Sequence, residues 1–397
     1  MELKSMGKKI ILGAACVLAT SPMIANAGPS VTFGPQDEGV LQIDYKAQFQ
    51  VATRDTGSGP DNTDNTATAN FRRNRLAFMG AWSDMYSIYV QTEFVEDVNL
   101  GPLTVNDEAA RSTDFSLIDA QLRFKFNDAM QLRIGKFKHN LTREGLEDCF
   151  QPLTLDRSLF MQTPFVATRD RGLALWGNLV NDKLQYRLDI MEGRESGDDA
   201  PESSFRYTAR VHVSLLDPEN GYGYRGTYLG KKKVLTLGAS YQTEPDIVYA
   251  DTVAQTGASA YAAWSADLFL EYPMGNAGTA TLSAAYLDVD VDDAYQGANP
   301  DPHAIGLNGE KNGGYIKAGY MLANTPLQIF FRTEGYSFAN LDGIYDQELD
   351  FMGAGLNYYI RNQDLKLTLE YSNTDFKEET ASIKDFSTII LQLQLML

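Results

Sequence analysis

The feature that most constrains this chain is a two-residue alternation of apolar and polar side chains, repeated in short segments along its length. In residues 41–51 every second residue is apolar, and Gln, Asp or Lys fill the places between them. Side chains of a β-strand point to opposite faces in turn, so such a segment has one apolar and one polar face. Its length is also what a tilted strand needs to cross the hydrocarbon of a membrane. The pattern therefore predicts amphipathic strands that can span a bilayer.

Sixteen such segments can be identified. They lie at 41–51, 73–82, 86–94, 117–126, 131–135, 171–180, 184–192, 206–215, 233–242, 261–272, 278–287, 314–322, 327–336, 349–360, 365–371 and 386–397. Short turns alternate with long polar loops such as 54–69 and 243–259, except that 217–232 is long where a short turn is expected. Sorting of loops by length is the signature of a bacterial outer-membrane barrel.

The outward faces distinguish such a barrel from a soluble sandwich. Aromatic residues cluster at the predicted strand ends, where they would form two girdles at the levels of the lipid headgroups. They are Trp82, Tyr86, Phe126, Tyr272 and Tyr320 at one end and Tyr241, Tyr286 and Tyr371 at the other. A sheet in lipid has to close, and sixteen strands leave an aqueous channel. The predicted fold is all-β: a transmembrane antiparallel β-barrel of 16 strands.

The amino terminus has the pattern of a signal peptide. Lys4, Lys8 and Lys9 precede a short apolar stretch, and Ala25-Asn26-Ala27 is a small-residue cleavage site. We predict that residues 1–27 are removed and that 28–397 form one barrel domain in the outer membrane of a Gram-negative bacterium. The mature chain would carry 51 acidic and 31 basic residues, a charge of −20. That charge excludes nucleic acid as a partner.

Residues 136–170 interrupt the alternation. They follow the fifth predicted strand, contain both acids and bases, and have no sustained period of 2 or 3.6. A loop of this length is usually functional or disordered. This one includes Phe150, Leu153, Leu155, Leu159 and Phe160, which give it an apolar side to pack with. We therefore expect an ordered third external loop that folds into the lumen and constricts it.

Several sequence runs are similar to the phosphate-selective porin family of bacterial outer membranes. The runs are IDAQLRF at 118–124, LRIGKFK at 132–138, RDRGLALWG at 169–177, GTYLGKKKVLTLGASY at 226–241, SADLFLEYP at 265–273 and LNYYIRNQDLKLTLEY at 356–371. Their order and spacing carry the resemblance over nearly the whole mature chain. The resemblance implies a porin, assembled as a homotrimer in the outer-membrane lipid.

The resemblance also implies which residues line the pore. In that family, arginines of the wall and basic residues of the inward loop lead anions to a constriction. The wall role would fall on Arg73, Arg75, Arg123 and Arg133, and the loop role on Lys136, Lys138, Arg143 and Arg169. By strand parity alone, the lumen has 12 basic and 8 acidic side chains, although the protein as a whole is acidic. Glu144, Glu147 and Asp148 make the loop itself mixed in sign.

These observations lead to one functional prediction and one alternative. The prediction is a porin for passive diffusion of small hydrophilic solutes, biased to anions such as phosphate or related oxyanions, although no residue supports specificity for phosphate. The alternative is a barrel that acts as a sleeve for a multihaem cytochrome or admits oxyanions beside one. An enzyme is not expected, since no nucleophile motif accompanies the three histidines. No cofactor is expected either: residues 221–226 match the dinucleotide fingerprint only by letter, and 288–293 lack the Gly of a calcium loop.

Overall fold

The computed structural model is a closed antiparallel β-barrel of 16 strands, as the alternation predicts. It describes residues 28–59, 61–95, 114–159, 168–202, 204–339, 347–379 and 383–397. The predicted signal peptide, four acidic residues of the predicted loops (Asp97, Asp107, Glu108 and Asp346), and residues 160–167 of the predicted inward loop lie outside this range. No helix in the described ranges is both long and apolar enough to cross a bilayer.

The strands are numbered in chain order. They are β1 (Ser30–Phe33), β2 (Gly39–Ser58), β3 (Asp64–Trp82), β4 (Tyr86–Val95), β5 (Asp114–Asn127), β6 (Met130–Lys138), β7 (Arg169–Leu179), β8 (Leu184–Met191), β9 (Arg206–Ser214), β10 (Val234–Asp251), β11 (Thr256–Pro273), β12 (Thr279–Asp290), β13 (Lys311–Met321), β14 (Leu327–Phe338), β15 (Gln347–Gln363), β16 (Leu365–Phe376) and β17 (Phe386–Met396). One helical turn, Arg143–Leu146, follows β6. Short 3₁₀ turns lie at Gly275–Ala277, Ala294–Gln296 and Pro302–Ala304.

Strands β2 to β17 form the ring, each paired with its neighbours in sequence. The ring closes where β17 pairs with β2, with Leu391 opposite Val51. Closure leaves no unpaired sheet edge, which lipid could not satisfy. The short strand β1 pairs with β2 beyond the end of β17, so it continues the last strand at one rim. We call this rim, with the turns at 83–85 and 128–129, the turn end, and the opposite rim the loop end.

The outer face of the ring is apolar, with its aromatic residues near the two rims. All eight aromatic residues of the predicted girdles are exposed on the barrel surface, by 39–52%. Between them the outward side chains are mostly Leu, Ile, Val and Phe, as in β17, where Ile389, Leu391 and Leu393 are exposed by 45–49%. This is the outer face that the alternation predicts for strands in lipid.

Two predicted loops prove to be mostly strand. Residues 54–69 continue β2 and β3 as a ladder that reaches Ser58 opposite Asp64, and residues 243–259 continue β10 and β11 as far as Asp251 opposite Thr256. These extensions stand above the apolar belt, where the outer face of a strand no longer has to be apolar. The backbone hydrogen bonds of the ladder need no apolar face, so the alternation by which strands were recognised fades before the strands end.

The lumen near the loop end is largely filled on the side of β10 to β17. Inward apolar side chains of these strands pack into one cluster with the connection 291–310 and with Leu141. The members include Ile247, Val248, Tyr261, Leu287, Val289, Val291, Ala304, Leu307, Tyr315, Tyr336, Leu349, Phe351, Phe376 and Phe386. Arg194, from the connection 192–205, is buried and pairs with Asp301 at 2.8 Å, which ties two of the external connections together.

Candidate functional site

Residues 139–159, which we call the inner loop, contact inward side chains on strands around the ring. A loop that touches strands on opposite sides of a barrel has to cross its interior. The wall residues that hydrogen-bond to it include Gln48 (β2), Asp189 (β8), Ser240 (β10), Lys317 (β13), Asn357 (β15), Glu370 (β16) and Gln394 (β17). Most of these bonds join side chains to backbone groups of the inner loop, which satisfies polar groups that burial would otherwise leave unpaired.

Charged pairs fix the inner loop near its beginning and near its end. The Asp156 carboxylate accepts from Arg72 at 2.8 Å and from Arg73 at 2.7 Å. The two guanidinium groups hold the pKa of Asp156 well below its usual range, although burial by itself raises it. Glu144 accepts from Ser158 and from Lys317. The inner loop is therefore held by wall cations at both ends of its buried course.

A second segment enters the lumen from the turn end. It belongs to the connection 215–233, and we call residues 217–230 the lower segment. Its Glu219 pairs with Arg143 at 2.7 Å, and the backbone N–H of Asp148 donates to the carbonyl of Tyr224 at 3.0 Å. The carboxylate of Glu271 accepts from Thr227 and from the backbone N–H groups of Tyr228 and Gly230 at 2.8 Å each. The lower segment thus packs against the inner loop and is fastened to β11.

The unusual length of 217–232 was visible in the sequence, but its course into the lumen was not predicted. Tyr222 and Tyr224 face arginines of β6, β8 and the inner loop: the Arg133 guanidinium lies 3.5 Å from the centre of the Tyr222 ring. Stacking of a guanidinium on an aromatic face is favourable, more so when both are removed from water. The arginines and the tyrosines come from distant parts of the chain, so no local sequence pattern predicts these contacts.

Together the two segments leave water access along one sector of the wall. Inward side chains of β8, β9 and β12 are all buried. On β2 to β6, in contrast, many inward side chains are half-buried, and so are some residues of the inner loop. We call this strip the passage; its lining includes Asp44, Lys46, Met79, Ser87, Tyr89, Glu93, Arg123, Lys125, Gln131, Asp148, Asp156 and Arg157. Within the described residues, this strip is where the inward side chains stay accessible to water.

Carboxylates neutralise four of the eight predicted pore residues. Arg75 pairs with Glu93 at 2.7 Å, and Arg169 with Asp119 at 3.1 Å. Arg73 pairs with Asp156 and Arg143 with Glu219, as described above. Each of these pairs presents little net charge to a passing ion, so these residues position the inner loop and the wall more than they attract solute.

Arg123 and Arg133 differ because their partners are neutral. The Gln121 Oε1 accepts from Arg123 Nε at 3.0 Å and from Arg133 Nη1 at 2.8 Å, and Arg123 lies 4.6 Å from the centre of the Tyr89 ring. Arg187, on β8, likewise donates to Gln185 and Asn140. In the described ranges no carboxylate lies within 4.0 Å of these three guanidinium groups, which we call the arginine row.

The last two predicted residues lie near the end of β6. Lys138 points to the inner loop, where its Nζ is 3.9 Å from Cys149 Sγ. Cys149 is buried, and although burial raises its pKa, Arg157 and Lys138 lower it well below the usual thiol value. The prediction for Lys136 is wrong. It pairs with Ala120 and Arg171, on the outward face, because β6 extends past the point where the sequence alternation stops.

Lys46 and Asp148 also belong to the site, although neither is among the eight predicted pore residues. Lys46 Nζ lies 6.0 Å from the centre of the Phe150 ring, and Asp148 accepts from the backbone N–H of Phe150 at 3.0 Å. Burial raises the pKa of Asp148, but Lys46, that N–H group and Lys138 favour the ionised form and bring the pKa below its usual value. The sequence indicates that Lys46 has an inward strand position and that Asp148 lies in the predicted inward loop. Only the fold shows that the two side chains are near each other.

The arrangement offers transport chemistry rather than a reaction centre. Among the residues that the structure describes, no group of three His, Cys, Asp or Glu side chains could hold a metal ion. What the site presents is a wet strip beside a wall of fixed charges, partly compensated and partly free. Low-dielectric surroundings focus the field of such charges on the ions that pass.

Comparisons with known proteins agree with the fold and with the family resemblance. The model of the family described as phosphate-selective porin O and P matches residues 43–397. No curated protein sequence is significantly similar.

Among solved structures, an anion-selective porin from Comamonas acidovorans superposes with a TM-score of 0.61 at 9% identity, covering 91% of this chain and 100% of the other. Salmonella typhi OmpF in complex with daunomycin gives a TM-score of 0.60 at 12% identity, with 92% and 100% covered. The outer membrane channel DcaP of Acinetobacter baumannii gives 0.55 at 11% identity, with 92% and 100% covered. At these identities the structural likeness concerns the fold.

Proposed function

This chain belongs to the phosphate-selective porin O and P family, and we propose that its passage conducts small hydrophilic solutes across the outer membrane with a preference for anions. As a member of that family it is a porin and not an enzyme. The turn end would face the periplasm and the loop end the exterior, as in other bacterial barrels with short turns and long loops.

The arginine row carries the proposal for anions. Arg123 lines the passage, Arg133 shares the Gln121 amide with it, and Arg187 lies behind them over the Tyr222 ring at 4.6 Å. Three positive charges with amide and aromatic partners keep their field, whereas Arg75 and Arg169 have theirs cancelled. An anion in the passage would supply the countercharge that the protein itself omits.

Reversal potentials in a KCl gradient across a planar bilayer test this proposal. We expect the wild-type channel to favour chloride, and Arg123→Gln and Arg133→Gln each to lower the chloride-to-potassium permeability ratio. Arg361→Gln is the matched control, because Arg361 lies near the end of β15 with its side chain 80% exposed. A wild-type channel that favours potassium, or an unchanged ratio in both variants, would remove the basis for an anion preference.

The proposal covers small anions as a class, including phosphate and related oxyanions. Guanidinium groups bind phosphate and carboxylate in the same bidentate manner, so the arginine row by itself does not choose between them. Block of chloride current by phosphate and by selenite, compared at equal concentration and charge, would rank the oxyanions.

We also propose the finer features that the sequence suggests. The inner loop constricts the channel, residues 1–27 are cleaved on export, and the barrel assembles as a homotrimer in outer-membrane lipid. Among similar structures, one of Vibrio cholerae OmpT is described as a trimer form, at 12% identity and a TM-score of 0.52. The mass of the detergent-solubilised complex and of its mature polypeptide would test assembly and cleavage.

The alternative of a sleeve for a multihaem cytochrome has no support in the comparisons. The interior also argues against it, since the inner loop and the lower segment take up the space that an inserted partner would need. Purification in mild detergent gives a direct check. A haem absorbance band that accompanies the barrel would favour the sleeve.

A further inference from the structure

Asp148 is an uncompensated acid at the point where the inner loop faces the passage. Within the described ranges it has no cation within 4.0 Å, and its carboxylate bonds to the backbone N–H of Phe150 at 3.0 Å. The neighbouring acids differ: Asp156 is paired with two arginines, and Glu147 with Arg143. Asp148 is also half-buried, whereas Glu147 and Cys149 on either side of it are buried.

Two uncompensated cations stand across the passage from it. Lys46, on β2, is half-buried and interacts electrostatically with Asp148, and its Nζ is 6.0 Å from the Phe150 ring. Arg123, on β5, is half-buried over Tyr89, which itself interacts with Lys46 and Asp148. In the described residues none of these three groups has an ion-pair partner within 4.0 Å, so the inner loop contributes one negative charge, and the wall two positive charges, to the same part of the passage.

Opposed charges create a field across the passage rather than along it. A simple anion is attracted by the wall and repelled by the loop. A dipolar molecule that carries a carboxylate and an ammonium group can turn so that each end meets its opposite charge, and both ends then recover part of the hydration that they lose on entry. An uncharged solute of the same size gains neither contact.

From this arrangement we propose that the passage favours zwitterionic solutes of the amino-acid class, with Asp148 as the residue that receives their ammonium group. Lys46 and Arg123 receive the carboxylate. The inference rests on the proposed porin function and extends it, since it assigns to the same passage a second class of solute beside simple anions. Because the positive charges outnumber the negative one, simple anions are still favoured over simple cations.

Swelling of proteoliposomes in isosmotic glycine, compared with glycerol as an uncharged solute, measures this preference. We expect Asp148→Asn to lower the glycine-to-glycerol rate ratio by roughly threefold to tenfold, as the loss of one close charge interaction in a partly dehydrated site implies. Lys46→Gln should lower the same ratio. In a KCl gradient the two variants should shift in opposite directions, Asp148→Asn towards chloride and Lys46→Gln towards potassium.

Asp198→Asn is the matched control, since Asp198 lies exposed in the connection 192–205 and its loss changes the formal charge equally. Heat-modifiable migration in gels establishes that each variant forms the barrel, and Lys46→Gln tests the opposite pole if Asp148→Asn fails to assemble. Unchanged glycine-to-glycerol ratios in both variants would overturn the inference even if the wild-type channel prefers chloride. If the wild-type channel prefers potassium but both variants lower the glycine-to-glycerol ratio, the preference for zwitterions is upheld and the anion preference is refuted.

Discussion

At the scale of single residues, Glu147 shows how burial acts on charge inside the lumen. Its carboxylate is buried in the inner loop and lies 3.4 Å from Arg143, which already has a closer partner in Glu219 at 2.7 Å. Burial raises the pKa of Glu147 to about 7, against the attraction of Arg143 and with a further contribution from Glu144. Near neutral pH this side chain therefore takes up or releases a proton.

We predict that Glu147→Gln stabilises the folded barrel at pH 8 and not at pH 5. The raised pKa means that the folded state binds the proton more tightly than the unfolded state does. Stability therefore falls as pH rises from the unfolded value towards 7, by on the order of 1–3 kcal/mol for a shift of this kind. The amide removes that cost only where the carboxylate would be ionised. The temperature of heat-induced loss of the compact gel form, measured at both pH values, provides the check.

Glu348→Gln serves as the control, because Glu348 is exposed and pairs with Lys377 outside the lumen. Its midpoint should respond little at either pH. If Glu147→Gln lowers the midpoint at pH 8, the bond to Arg143 outweighs the cost of burial and the reasoning is wrong.

Sequence parity identifies inward arginines but not their partners. Arg73 and Asp156 are 83 residues apart, and Arg169 and Asp119 are 50 apart. Which inward charge is cancelled depends on how the inner loop crosses the lumen, and no alternation encodes that path. Lys136 illustrates a different limit. The resemblance assigns it to the inward loop, whereas β6 continues to Lys138 and turns the Lys136 side chain outward.

At the scale of elements, the Glu271 carboxylate is the main attachment of the lower segment to the wall. It is buried on β11 and accepts from Thr227, Tyr228, Gly230 and Thr281. Several donors converge on this carboxylate. In Glu271→Gln an amide NH₂ group, itself a donor, replaces one acceptor oxygen, so at least one of these donors loses its partner. A buried polar group left without a partner costs about 1–3 kcal/mol.

We predict that Glu271→Gln loosens the lower segment and makes the open channel noisier, with brief steps to higher conductance. The segment packs under the inner loop through Glu219 and Tyr224, so its displacement would widen the space next to the passage. Single-channel recording at fixed voltage measures both effects. Gln347→Glu offers a comparison at the other rim, where Gln347 bonds to the backbone of Glu378. A quiet Glu271→Gln channel of wild-type conductance would show that the segment is held by its other contacts.

The strands were predictable to the extent that one of their faces meets lipid. All sixteen ring strands coincide with predicted segments, because lipid demands apolar residues at alternate positions. Above the apolar belt no such alternation is required, so the sequence pattern predicts loops where β2, β3, β10 and β11 continue as strands. β1 is four residues long and exposed, too short to show a pattern.

At the scale of the whole molecule, the outward apolar face is what commits the barrel to a membrane. We predict that Leu391→Arg strongly reduces the yield of assembled barrel, since Leu391 lies at the middle of β17 and is 47% exposed on the outer face. A basic residue near the bilayer midplane costs roughly 2–4 kcal/mol. The fraction of outer-membrane protein that becomes heat-modifiable measures assembly.

Val253→Arg introduces the same side chain where no lipid is expected. Val253 is 80% exposed and lies between β10 and β11 at the loop end. This variant should assemble as the wild type does. Equal losses in both variants would attribute the defect to the added arginine and not to the membrane.

The closure of the ring has a consequence for biosynthesis. The bonds that join β17 to β2 link residues some 340 positions apart, such as Gln50 and Gln392. Until β17 pairs with it, β2 has β3 on one side and no ring partner on the other, so the sheet keeps two unpaired edges. A chain that lacks β17 therefore cannot close the ring, and we expect it to aggregate or to be degraded instead of assembling in lipid.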